Sequence, residues 1–205
     1  MEPEVGVSFI REVRDEEAIG RVRELFDADL AKDGYVWNLT RVLALRPDVQ
    51  MAWRGLVAAI RSHMDERRYE LITLSAARAL RASYCMLAHG RILSEKFFDA
   101  DRVLAMARDP QTSGLSQGDI AMMEFAGKVA CEANRVTQAD VDRLRAVGFA
   151  DEEILDIAFV AAARAFFSKV LDGVGVLPDA AYRNLDSRLR DALVTGRPIA
   201  TGGTS

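Results

Sequence analysis

Few residues of this 205-residue chain can do covalent chemistry, and two of them stand one helical turn apart. Cys85 is one of two cysteines and His89 one of two histidines. A spacing of four puts both on the same face of a helix. A thiol beside an imidazole is a candidate nucleophile with its base. Glu70 lies at the front of the helical run that leads into the pair, so its carboxylate reaches the same pocket if the chain folds back between them. A free thiol titrates near ~8.5 and attacks only as the thiolate, so such a site needs a helix start, a base or both beside the sulfur. The competing reading of Cys85 is a small buried hydrophobe.

The surrounding residues favour chemistry. An acid, an Ala/Leu-rich helix, a short polar break, then Tyr84-Cys85, three residues and His89 resembles the core signature of the alkyl hydroperoxidase D-like and carboxymuconolactone decarboxylase family. That signature is a Glu followed by Cys-x-x-Cys-x-x-x-His, and the matching positions here are Glu70, Ala82, Cys85 and His89. Met122 to Lys128, Val136 to Asp156 and Gly173 to Asp179 are similar to the downstream half of the peroxidase-related branch. The resemblance therefore runs from about residue 15 to 180 and implies a compact, all-α, multi-helix domain.

Carried over by position, the resemblance makes Cys85 the peroxide-attacking thiol and Glu70 and His89 its proton relay. Ala82 stands where the family's resolving cysteine would be, so the disulfide that closes the family's redox cycle cannot form there. The sulfenic acid left on Cys85 must then be reduced by an outside thiol or by Cys131, the only other cysteine. Cys131 otherwise reads as a small buried residue.

The leading expectation is a thiol-dependent peroxidase of antioxidant type, acting on hydrogen peroxide or an organic peroxide with an external thiol reductant. Two alternatives share the scaffold: the lactone decarboxylase chemistry of the other branch, and a redox-inactive oligomeric binding protein. The resemblance also implies a homo-oligomer, a trimer or hexamer. No metal or other cofactor is expected, because one His, one Cys and one Glu make a thin ligand set.

Other residues have secondary readings. Ser83 is the punctuation between two helices and is read as a cap, which leaves Cys85 in the first turn of the second helix, where the dipole favours a thiolate. Tyr84 lines the pocket or packs as an aromatic. Arg164, set in an apolar run, is read as an interface residue, and His63 as a partly exposed helical one.

Composition bounds the rest. Half the residues are apolar, enough for a continuous core, and the net charge of −4 with no long basic run argues against nucleic acid or an anionic membrane as partner. The acidic start Met1-Glu2-Pro3-Glu4 lacks the basic and apolar regions of a signal peptide, and the expectation is a cytoplasmic protein. Residues 1–14 read as an arm, 15–196 as one domain and 197–205 as a flexible tail. A first helix is signalled from Asp15, a second is capped by Asn38, and Pro47 opens a third. Asp65, either Asp99 or Asp101, Ser116 with Asp119, and Thr137 with Asp140 open later ones. By propensity alone, 66–93 is compatible with one unbroken helix. The segment Ile154 to Ala163 is apolar nearly all round, as in a helix buried among neighbours or at a subunit interface.

Overall fold

A computed structural model of the chain describes residues 6–202. Among the described residues there are ten α-helices and no strand, as the periodicity predicts. The core is built on α4 (Glu66–Leu80), in which every residue from Tyr69 to Ala77 is buried. It is covered by α5 (Ser83–Lys96), α7 (Gln117–Glu132) and α9 (Asp151–Gly173). Leu71, Ile72 and Leu74 of α4 are fully buried; each such side chain contributes about 1.5–3 kcal/mol relative to exposure.

Polar groups set the register of these helices. Asp65 caps α4 by accepting from the Arg68 amide at 2.8 Å. In its first turn, Arg67 forks onto Asp119 at the start of α7 (2.7 and 3.1 Å) and Arg68 reaches Glu153 at the start of α9 (2.6 Å). Acids at the positive ends of α7 and α9 thus serve both their own dipoles and the packing on α4. Deeper in, the Ser75 hydroxyl donates to the Met123 carbonyl at 2.5 Å.

The other helices surround this layer. They are α1 (Arg21–Asp33), α2 (Asn38–Leu43), α3 (Pro47–Arg61), α6 (Ala100–Arg108), α8 (Gln138–Ala146) and α10 (Ser187–Leu193). Of Asp99 and Asp101 it is Asp99 that caps α6; the caps expected at Ser116 and at the Thr137/Asp140 pair are present, as is Pro47 in the first turn of α3.

Four details away from the α4–α5 turn differ from the sequence reading. Asp15–Glu17 forms only a 3₁₀ turn that ends in extended backbone at Ala18, and α1 begins at Arg21 after Gly20, whose φ is 53°. Asn38 lies inside α2; its backbone amide is taken by Asp179 at 2.8 Å and its side chain donates to the Leu177 carbonyl at 3.1 Å, so a long-range contact replaces the cap. Residues 6–13 of the expected arm pack on their own chain: Val7 and Val13 are buried, and Phe9 donates to the Val174 carbonyl at 2.8 Å. In the expected tail, Ile199 and Ala200 are buried and the Ala200 amide donates to the Pro178 carbonyl at 2.9 Å; residues 203–205 lie outside the described residues.

The break ahead of Cys85 is sharp. α4 ends at Arg81, whose φ of 57° is the one left-handed non-glycine among the described residues, and α5 starts at Ser83. Ser83 is not the cap: Ala82 holds that position without a side-chain bond, and the Ser83 hydroxyl accepts from the Gly196 amide at 2.7 Å. Gly196 sits so close to the Arg81 carbonyl that a Cβ there would lie 2.3 Å from its oxygen. The C-terminal segment therefore clamps a turn that propensity alone would have run through as helix.

Candidate active site

α5 begins with Ser83, Tyr84 and Cys85, so the sulfur is in the first turn as expected. Cys85 is 2% exposed, yet it lines a cavity of about 590 Å³ together with Glu70 and His89. The three residues that the motif singles out are thus brought together by the fold-back of α5 on α4.

Glu70 and His89 form a buried pair, with Nδ1 of His89 2.5 Å from Oε2 of Glu70. Burial works against the Glu70 charge, but His89, Arg61 and Arg164 outweigh it and hold the carboxyl below its usual value of 4.5. Burial is the larger influence on His89 and pushes the imidazole below 6.5 in spite of the carboxylate beside it; Arg164 acts in the same direction. Around neutral pH the pair is therefore an ionised Glu70 accepting from the Nδ1–H of a neutral His89. This tautomer leaves Nε2 as a proton acceptor.

Two side chains from α9 meet the sulfur. Arg164 Nη1 donates to Cys85 Sγ at 3.6 Å, and the Ser168 hydroxyl donates at 3.2 Å. Arg164 Nη2 also reaches the Tyr69 hydroxyl at 3.3 Å. Burial disfavours the Arg164 charge, but the neighbouring sulfur and phenol oxygen more than compensate, and its pKa is raised. A fixed cation and a hydroxyl aimed at one sulfur are the partners a thiolate needs. Arg164, read from the sequence as an interface residue, is thus buried against Cys85, and Ser168 was missed altogether. An arginine and a serine one turn apart in an otherwise apolar stretch were the available signal.

Tyr84 lines the cavity and donates its hydroxyl to Asp179. Burial pushes the Asp179 carboxyl up to about 6, against the hydrogen bonds from Tyr84 and the Asn38 amide. Burial also holds the Tyr84 phenol well above 10, so the proton between them stays on the tyrosine. Ser83 points to Gly196 rather than to the sulfur. Ala82 caps the helix and is buried. Cys131 is exposed near the end of α7, not buried as its alternative reading had it, and it is not among the residues that line the cavity. Partial burial raises its pKa, which disfavours a reactive thiolate. His63 is exposed in the turn after α3.

No protein-family model matches the chain, and no curated protein resembles it significantly in sequence. Solved structures match it in fold. A peroxidase-related protein of Ralstonia eutropha JMP134, described as an alkylhydroperoxidase AhpD core, superimposes with a TM-score of 0.78 at 25% identity, over 86% of this chain and 94% of that one. An uncharacterized peroxidase-related protein of Silicibacter sp. TM1040 gives 0.73 at 20% identity, over 90% and 97%. The debrominase Bmp8, in complex with 2,3,4-tribromopyrrole, gives 0.72 at 20% identity, over 93% and 98%. The architecture is the alkyl hydroperoxidase D-like one that the motif implies. Among the described residues no helix is long and apolar enough to cross a membrane.

Proposed function

We propose that the protein is a thiol-dependent peroxidase in which Cys85 is the attacking residue. The observation that carries this reading is a sulfur in the first turn of a helix, facing a cavity, with Arg164 and Ser168 donating to it and the Glu70–His89 pair on the same wall. His89 Nε2 receives the thiol proton, directly or through a water, and Glu70 holds the imidazole in the required tautomer. The thiolate attacks one peroxide oxygen, the O–O bond breaks, and the leaving alkoxide or hydroxide takes back the proton from the imidazolium. Cys85 becomes a sulfenic acid. Two equivalents of an external thiol then return it to the thiol, releasing water and a disulfide of the reductant. Ala82 leaves no neighbouring motif thiol to do this, and the exposed position of Cys131 supports an external reductant.

The test is peroxide consumption with an added thiol by the native protein and by Cys85→Ser. Equal rates reject the reading. Debromination is the second reading, favoured by the likeness to Bmp8 and by a cavity walled with Trp37, Trp53 and Phe167. Thiol-dependent bromide release from 2,3,4-tribromopyrrole without peroxide turnover would place the chemistry there.

A homo-oligomer belongs to the same proposal. Leu155, Phe159 and Phe166 are 54%, 49% and 52% exposed along one face of α9. This apolar stripe suits a second copy better than water. Mass in solution of the native protein and of Phe159→Glu measures it, and a native monomer removes it.

A further inference from the structure

The cavity is more cationic than the chain that surrounds it. The protein carries a net charge of −4, yet the cavity lining includes five cations, Lys32, Arg54, Arg61, Arg91 and Arg164, against two carboxylates, Asp29 and Glu70. His89, buried and neutral, adds no charge at neutral pH. The cations are divided by depth. Arg164 is buried beside Cys85, whereas the Arg54 and Arg61 side chains are 41% and 43% exposed and Lys32 lies exposed, which places them at the mouth.

The mouth cations are only partly neutralised. Arg54 is paired with Asp29 at 3.1 Å. Arg61 approaches Glu66 at 3.7 Å, but that carboxylate lies nearer to Lys96, at 2.7 Å. Arg91 stands 3.9 Å from Asp33 and 3.7 Å from Glu95, beyond hydrogen-bond reach of either. Between mouth and floor the wall is apolar and aromatic, with Trp53 stacked on Phe167 (centroids 4.8 Å apart, planes 8° from parallel) and Leu39, Val57 and Ile92 beside them. A volume of about 590 Å³ is within the range that encloses a drug-sized organic molecule.

We propose that the cavity selects an apolar-bodied carboxylate, its head held at the mouth by Arg54, Arg61 and Lys32 and its body laid along the Trp53–Phe167 wall toward Cys85. Taken with the peroxidase reading on which this rests, the substrate class is a hydroperoxide that bears a carboxylate, such as a hydroperoxy fatty acid. Guanidinium groups at the mouth give such a head charge-assisted hydrogen bonds. Part of each of these charges is already used within the chain, which suits a monoanion better than a dianion such as a phosphate monoester. A cationic mouth also raises the encounter rate of anions in a way that salt suppresses.

Two measurements on the full-length protein separate this proposal from the reading beneath it. Quenching of tryptophan fluorescence by decanoate and by 1-decanol reports binding without turnover. Decanoate is expected to bind at least about tenfold more tightly at low ionic strength, with the gap narrowing in added salt, and Arg54→Gln/Arg61→Gln is expected to bring the two affinities together. Equal affinities for the acid and the alcohol in the native protein, or a preference that the double variant leaves intact, overturn the proposal. In the turnover arm, kcat/KM with linoleic acid hydroperoxide is compared with that for its methyl ester, both below their micelle concentrations. A higher value for the acid supports the substrate class and an equal or lower one rejects it. Decanoate selectivity without turnover of either peroxide removes the peroxidase reading and leaves the carboxylate-selective cavity standing.

Discussion

Arg164 and Cys85 are 79 residues apart in the chain, and the guanidinium of one donates to the sulfur of the other at 3.6 Å inside the core. A buried arginine is expensive unless it is paired. Its partners here are the groups that the proposed chemistry uses: the sulfur, the Tyr69 hydroxyl and, more distantly, the Glu70 carboxylate. The charge that nucleophilic chemistry requires is thus delivered by the longest helix of the fold.

Replacing this charge should slow the thiol. A hydrogen bond to a charged group is worth about 1.5–3 kcal/mol, so Arg164→Met is expected to cut the rate of Cys85 alkylation by iodoacetamide at pH 7 by roughly ten- to a hundredfold. The measurement is made by mass spectrometry on folded protein, with helicity checked by circular dichroism. An alkylation rate equal to that of the native protein would show that the guanidinium has no part in activating the sulfur.

Acid should act on the Glu70–His89 pair. Both folded-state pKa values are lowered, His89 from 6.5 and Glu70 from 4.5. The unfolded chain therefore binds more protons than the native one over this region, and stability rises with pH. His89 contributes in full above 6.5 and progressively less as pH falls below it; Glu70 does the same below 4.5. Urea midpoints between pH 7 and pH 4 are expected to fall, and His89→Gln is expected to flatten the part of the curve just below 6.5. Peroxide turnover should fall along an acid limb lying below pH 6.5, where Nε2 becomes protonated. An acid limb centred above 6.5 would contradict a neutral buried imidazole.

Cys131 should be dispensable. It is exposed, its pKa is raised, and it does not line the cavity. Cys131→Ser is expected to keep native peroxide turnover with an external thiol, and peptide mapping of peroxide-treated native protein should find Cys85 oxidised singly. A Cys85–Cys131 disulfide as the main product would instead give Cys131 the resolving role.

The clamp on the α4–α5 turn should be sensitive to a single methyl group. Gly196→Ala places a carbon 2.3 Å from the Arg81 oxygen, and relieving that overlap costs typically 1–3 kcal/mol. In a chain of this size, each kcal/mol lowers Tm by about 2–4 °C. Ser83→Ala, which removes only the acceptor for the Gly196 amide, should cost about 1 kcal/mol. A Gly196→Ala protein as stable as the native one would mean that the turn is held by α4 and α5 alone.

Much of the fold was legible because helix signals are local. Asp65, Ser116 and the Thr137/Asp140 pair act on amides within three residues, and their helices begin where these residues say they should. The signal at Asp15 misled because the backbone turns extended at Ala18 and Gly20 takes a φ of 53°, a break that an apolar periodicity does not reveal.

From the sequence alone came the all-α class, most helix starts and the shared face of Cys85 and His89, since each depends on interactions that span at most about one helical turn. Only the tertiary structure decided that the helix breaks after Arg81, that Arg164 and Ser168 meet the sulfur, and that the mouth of the cavity is cationic. The first two of those outcomes rest on groups 113 residues apart at the Ser83–Gly196 clamp and 79 and 83 residues apart at the sulfur, and the third on α1 and α3 meeting the α4–α5 layer. Hydrogen bonds across such separations follow from how helices pack, and no local pattern along the chain encodes them.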